Sequence, residues 1–87
     1  MPQNHSIKCV NPFFQDAWDS LKSFEIRNND RNYKVGDLIL LNEYDSKNDS
    51  FSGRKILGVI TYIAKYPKGL KTNFIVFSFH HLIHYLS

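Results

Sequence analysis

The chain has 87 residues, of which 43% are hydrophobic and 15% aromatic, enough for one small domain with a single core. Its only cysteine, Cys9, excludes an intrachain disulfide and a cysteine-rich metal site. The amino terminus has no signal-peptide pattern, and no apolar run approaches the ~20 residues of a membrane span. We therefore expect a cytoplasmic protein with no membrane partner. The net charge of +3 is compatible with an anionic partner such as RNA or a nucleotide.

The first predicted elements are a short strand and a helix. Residues 6–10 alternate in polarity, with Lys8 on the polar side, which is typical of a strand. The Asn11-Pro12 pair is a favourable helix start. Helical spacing then predicts a helix over about residues 12–21 with one apolar stripe, which we expect to lie in the core: Phe13, Phe14, Ala17, Trp18 and Leu21.

The next stretch combines a charged strand with a polar loop. Residues 22–27 alternate, placing Phe24 and Ile26 on an apolar face and Glu25 and Arg27 on an ionic face. The run at 28–32 is rich in turn-forming asparagine and aspartate. Two interpretations remain open. The ionic face is either the wall of a polar pocket or a solvated sheet face beside a hairpin loop.

Three further strands are predicted at residues 38–44, 53–63 and 74–79. Within the second, Gly58 indicates a bulge, a bend or a close approach by another backbone. The histidine-containing residues 80–86 are ambiguous. The element order predicts an α+β, mainly antiparallel pseudo-barrel of about five strands with one principal helix. We expect a single domain over 1–87, with a core at about 5–80 and a tail at 81–87.

Several spaced blocks resemble a known family. The sequences FEIRNNDR (24–31), YKVGD (33–37) and EYD (43–45) resemble the F-E-I-R-x-N-D-R, Y/F-x-V-G-D and E-Y blocks of a small ASCH-related domain family of uncharacterised function, within the PUA-like superfamily. Blocks at 53–54, 59–63 and 69–70 follow in the same order. The resemblance covers about residues 5–79. It implies a PUA-like pseudo-barrel with a cleft beside the helix, and a function in binding RNA, modified bases or nucleotides.

The leading hypothesis is a module that binds RNA or single-stranded nucleic acid beside strand 22–27 and loop 28–34. Tyr33 and Tyr62 would stack a base, and four cations would neutralise phosphates: Lys22, Arg27, Arg31 and Lys34. The alternative is a non-catalytic pocket for a free nucleotide or modified nucleoside. In that pocket a carboxylate of Glu25 or Asp30 would accept hydrogen bonds from exocyclic amines, and Arg27 or Arg31 would bind a phosphate.

A second alternative is a small amidohydrolase. One ASCH branch that acts on acylated cytidine has a lysine followed three residues later by a threonine nucleophile, and Lys22 resembles that lysine. Glu25 occupies the threonine position, and Ser23, the nearest hydroxyl and a candidate site residue, is not at the matching place. This departure favours binding over catalysis.

The remaining polar clusters favour structural interpretations. His80, His81 and His84 would suit a metal only in a helical tail, and no third kind of ligand lies nearby, so we expect no metal and no cofactor. The lysines at 65, 68 and 71, around Tyr66, would reach phosphates only if ordered, and a solvated loop is the default.

Overall fold

The computed structural model describes residues 2–65 and 68–86, so Tyr66 of the predicted basic loop lies outside the described residues. Within the described chain there are five strands and one short helix, in the order β1 (Asn4–Val10), α1 (Phe13–Trp18), β2 (Phe24–Asn28), β3 (Leu38–Asp45), β4 (Ser50–Ala64) and β5 (Phe74–Tyr85). The strands form one sheet in the order β1-β3-β4-β5-β2. This sheet curves into a half-barrel whose edges are β1 and β2. The described residues contain no helix with the length and hydrophobicity needed to cross a bilayer.

The predicted mainly antiparallel sheet of five strands with one helix is confirmed, with one difference in topology. β1 pairs with β3 in parallel, from Asn4 opposite Leu38 to Val10 opposite Tyr44, whereas the other three pairings are antiparallel. The segment between β1 and β3 contains α1 and β2. A connection of that length lets the chain re-enter the sheet in the same direction, which a hairpin loop cannot do.

The core lies on the concave side of the half-barrel. Alternate strand residues point into it, so each strand other than β2 contributes apolar side chains, and α1 and Tyr33 add the rest. The buried apolar residues are Ile7, Cys9, Phe14, Ala17, Tyr33, Ile39, Leu41, Ile56, Ile60, Ile75, Phe77 and Phe79.

The helix is shorter than predicted, ending at Trp18 rather than near Leu21. Ser20 adopts a left-handed conformation, with φ of 60°, and the Leu21 N–H donates to the Asp16 carbonyl at 2.9 Å. This is the Schellman arrangement that closes a helix, here with serine in the position that glycine usually takes. The apolar periodicity continued to Leu21, but the backbone had already left the helix.

The early helix end divides the predicted apolar stripe. Phe14 and Ala17 are buried, and Trp18 is partly buried against the core. In contrast, Phe13 is 52% exposed and Leu21 78% exposed, so the expectation that the whole stripe lies in the core is wrong. A helix of two turns has room for one narrow buried face only.

The ambiguous segment after residue 79 continues β5 along β4. Gly58 marks both a register shift and a close approach, as its position in the strand predicted. A Cβ there would lie 2.8 Å from Phe79 Cδ2 and 3.0 Å from the His80 carbonyl oxygen. His84 stacks on Trp18 with ring centroids 4.5 Å apart, which gives this histidine a packing role.

Candidate functional site

An open gap separates the two edge strands of the half-barrel, β1 and β2. Some of their backbone N–H and C=O groups point into this gap. Just before β1, the Gln3 carbonyl accepts from the Leu38 N–H of β3, so the backbone groups of odd-numbered residues bond to β3. The backbone groups of Ser6 and Lys8 therefore point to the gap. Just before β2, the Ser23 carbonyl accepts from the Phe79 N–H of β5. The backbone groups of the even-numbered residues of β2 therefore point to the gap. An unpaired strand edge is a site where polar or extended ligands bind.

Two arginine side chains reach across this gap from the β2 side. Arg27 Nη2 donates to the Lys8 carbonyl at 2.7 Å, and Arg31 Nη1 donates to the Ser6 carbonyl at 3.0 Å. Each bond satisfies a carbonyl group that β1 does not use for the sheet. The arginines therefore connect the two edges without closing the barrel with a further strand.

Glu25 of β2 holds the Arg27 side chain in place. Its side chain is buried, and Oε1 accepts from Arg27 Nε at 3.0 Å and Nη2 at 2.7 Å, while Oε2 accepts from Lys22 Nζ. A buried carboxylate is tolerated only when it is paired in this way. Glu25 is thus buried and Arg27 partly buried, and the two side chains are hydrogen-bonded to each other beside the gap.

The two faces of β2 are the reverse of a simple amphipathic strand. Glu25 points inward, whereas Phe24 and Ile26 are exposed on the other face. The ion pairs fill the space at the unpaired edge, so the ionic face of the strand points inward, where a half-buried strand usually places its apolar residues. The apolar residues remain outside.

Cys9 lies beneath the same carboxylate, with Sγ 4.0 Å from Glu25 Oε1. Burial, with a further contribution from the Glu25 charge, raises the pKa of the Cys9 thiol to about 11. The thiol therefore stays protonated at neutral pH, which leaves it inert as a nucleophile.

A groove of about 710 Å³ opens above this ion pair, between β1, α1 and β2. Its charged residues are Lys8, Lys22 and Arg27 together with the carboxylates Asp16 and Glu25. Exposed apolar side chains of both edges and of the helix complete it: Val10, Phe13, Leu21, Phe24 and Ile26. A cluster of exposed apolar residues around a few oriented polar groups is typical of a ligand site.

A second concavity of about 500 Å³ continues the first along the gap. The two share Lys8 and Arg27, and the second adds Ser6, Ile7, Asn28, Asp30, Arg31, Tyr33, Asn42 and Phe51. We call the two together the edge groove. It is an elongated surface in which cations lie between apolar regions.

The structure places the predicted site residues in three groups. Lys22, Glu25, Arg27, Asp30 and Arg31 line the edge groove. Ser23 and Lys34 are exposed but do not line it. The two tyrosines differ from the expected stacking role, and each for its own reason.

Tyr33 lines the second concavity of the edge groove, but it is only 5% exposed, and its ring packs against His5 and Phe77, with centroids 4.7 and 5.1 Å away. A base cannot stack on a ring that the core already covers, so Tyr33 is a core residue. Tyr62 is 64% exposed, but it lies on β4, separated from β2 by β5. It does not line the edge groove.

Sequence reasoning missed Lys8, Phe13 and Phe51 as groove residues. Lys8 stood on the polar face of the first predicted strand, which was a usable signal. Phe13 was hidden by its membership of the helical stripe. Phe51 lay between the predicted strands at 38–44 and 53–63 and carried no signal.

A family model for a domain of unknown function, DUF3850, matches residues 4–79. The chain belongs to the DUF3850 family. No curated protein shows significant similarity to it. The matched range includes β1, α1, β2 and all the residues of the edge groove, so the groove lies within the part of this chain that matches the family.

Two other sequence blocks of this DUF3850 domain have structural roles. Glu43 accepts from Arg54 Nε at 2.8 Å and Nη2 at 2.7 Å, and Arg54 Nη2 also donates to Gln15 of α1. The Arg54 guanidinium lies 4.7 Å from the centre of the Trp18 ring. This pair therefore holds the helix on β3 and β4. Arg54 hydrogen bonds lower the pKa of Glu43 to about 2.

Asp37 forms the second structural group, and it is buried with His5. Its Oδ2 lies 2.8 Å from His5 Nε2, and its carboxylate also accepts from the Gln3 and Lys34 backbone N–H groups. Burial alone would raise the pKa of Asp37, but these hydrogen bonds lower it below its usual value. The group ties the start of β1 to the turn before β3.

We expect strong coupling between Glu25 and Arg27. Arg27→Met should lower the free energy of unfolding by about 3 kcal/mol. This is the low end for breaking a buried pair, because Lys22 still pairs with Glu25. In a double-mutant cycle with Glu25→Gln, the coupling energy should exceed ~1 kcal/mol. Urea unfolding followed by fluorescence of Trp18, the single tryptophan, measures each variant.

Arg31→Met is the matched control, since Arg31 bridges to β1 and its hydrogen bond goes to Ser6 rather than Glu25. Its coupling with Glu25→Gln should stay within ~0.5 kcal/mol. Equal coupling for the two arginines would contradict the central position of Glu25.

The low pKa of Glu43 predicts that the protein loses stability in acid. Because the folded-state pKa of about 2 lies below the ordinary value of 4.5, the unfolded chain binds more protons between these values, and stability falls as pH drops through that window. Glu43→Gln should lower the free energy of unfolding at pH 7 by roughly 1.5–3 kcal/mol. The difference from wild type should vanish near pH 2. A difference that is constant from pH 7 to pH 2 would rule out this assignment.

Proposed function

We propose that the edge groove binds single-stranded nucleic acid, with RNA as the expected ligand. The observation that carries the proposal is the order of side chains along the groove. Exposed Phe13 and Phe24 lie at one part of it, and Lys8, Arg27 and Arg31 follow. Single strands are bound by aromatic surfaces that stack bases and by cations that follow the phosphates.

The arginines are held in position for such contacts. Arg27 and Arg31 are each anchored by a β1 carbonyl, and those bonds leave Nη1 of Arg27 and Nη2 of Arg31 to meet a ligand. An anchored guanidinium loses less side-chain entropy when it binds a phosphate. Lys8 is exposed beside them and adds a further positive charge.

The proposed kinship with ASCH and PUA-like domains points the same way. That resemblance rests on the blocks at 24–31 and 33–37, the first of which contains Glu25, Arg27 and Arg31. A free nucleotide or modified nucleoside in the first part of the groove is the second candidate, favoured by its volume of about 710 Å³. The amidohydrolase alternative is not proposed, because Glu25 already bonds through both oxygens and Ser23 does not line the groove.

The test is a binding titration with a fluorescently labelled single-stranded RNA decamer, in anisotropy at several salt concentrations. Phe13→Ala should weaken binding by about 5- to 150-fold through lost stacking. Lys8→Ala should weaken it similarly for different base sequences and lower the log K against log salt slope by about 0.7. Neither residue is buried, so both variants should fold.

Lys34→Ala and Tyr62→Ala are matched controls, since both residues are exposed and outside the groove. Each should bind the decamer within about twofold of wild type, a difference of ~0.4 kcal/mol. If the groove variants and the controls behave alike, only non-specific charge is being measured and the proposal fails. Saturable binding of a mononucleotide with no gain from a longer RNA would favour the second candidate.

A further inference from the structure

Phe51 is an exposed aromatic side chain that the groove above leaves without a role. It is 55% exposed near the start of β4, and it pairs across the strands with Tyr44 of β3. The two ring centroids are 5.0 Å apart. The Tyr44 hydroxyl donates to Asp49, and Lys8 Nζ lies 4.4 Å above the Tyr44 ring. The pair is therefore a fixed aromatic surface with a cation beside it.

This aromatic pair lies at the far end of the edge groove. Phe51 lines the second concavity together with Lys8, Arg27 and Arg31. It also lines a third concavity of about 470 Å³ on its other side, with Tyr44 and Val10. A chain that leaves Phe13 and Phe24 and follows the cations therefore arrives at the Phe51 ring.

We infer that Phe51 and Tyr44 form a second base-stacking surface, and that the ligand is an oligonucleotide long enough to reach both surfaces. This inference rests on the proposed function and narrows it. β4 lies two strand spacings from β1, about 10 Å, on the side away from β2. That distance alone is about three times the 3.4 Å rise between stacked nucleotides. Neither concavity of the edge groove is lined by Phe51 together with Phe13 or Phe24, so the two surfaces would take different bases.

The ordinary alternative is that Phe51 and Tyr44 only stabilise their hairpin as a cross-strand aromatic pair. The two roles make different demands on the side chain at position 51. The hairpin role needs an apolar side chain, whereas the stacking role needs a planar ring. Phe51→Leu therefore keeps most of the first and removes the second, and Phe51→Trp keeps both.

The experiment measures the affinity of single-stranded RNAs of two, four, six, eight and ten nucleotides for wild type, Phe51→Leu and Phe51→Trp. For wild type, affinity should rise with length until the RNA reaches both surfaces. Phe51→Leu should bind the dinucleotide as wild type does and the decamer at least about 5-fold more weakly. Phe51→Trp should restore decamer binding. Tyr62→Leu is the matched control and should match wild type at every length.

The outcomes separate this inference from the proposed function. If Phe51→Leu binds the decamer like wild type while Phe13→Ala is weakened, the groove binds RNA but the second surface is refuted. If Phe51→Leu and Phe51→Trp are weakened equally at all lengths, Phe51 acts through the fold and the inference also fails. If wild type binds none of the RNAs, the proposed function and this inference fail together.

Discussion

The buried carboxylate of Glu25 is the interaction on which the edge groove depends. It lies between two strand edges that have no strand between them, and it is paired with Arg27 and Lys22. A carboxylate in that place would be too costly to bury alone. Arg27 also donates to the Lys8 carbonyl of β1. Glu25 therefore stabilises a guanidinium group that connects the two edges. Packing and electrostatics are satisfied by the same side chains.

The half-barrel is open at this edge, and the proposed ligand would bind in the opening. A sixth strand would have covered the backbone groups of both edges. Here two arginine side chains bond carbonyl groups of the β1 edge, and the groove beside them is lined by apolar, cationic and acidic side chains. Anchored arginines and exposed rings such as Phe13 suit a flexible anionic chain with flat bases. In the proposed function, the side chains that cover the β1 edge would also contact the ligand.

The sheet was largely predictable from the sequence because period-2 alternation and Gly58 report directly on strands. The site was predictable only in part. Glu25 and Arg27 were found, since charges on an otherwise apolar strand are visible in the pattern. The inward direction of Glu25 was not visible, because it depends on β2 being an edge beside a gap. The exposure of Phe13 was hidden as well, since the apolar stripe does not show that the packed helix buries Phe14 and Ala17 alone. Both facts depend on how the elements pack together.

The central claim is that ligands bind along the edge groove, and nuclear magnetic resonance of the ¹⁵N-labelled chain tests it most directly. During titration with a single-stranded RNA decamer, backbone amide shifts should change for groove residues Lys8, Phe13 and Ile26, on all three elements around the ion pair. Amides of Lys34 and Tyr62 should remain unchanged. Shift changes concentrated at Lys34 and Tyr62, with the groove residues unaffected, would contradict the account.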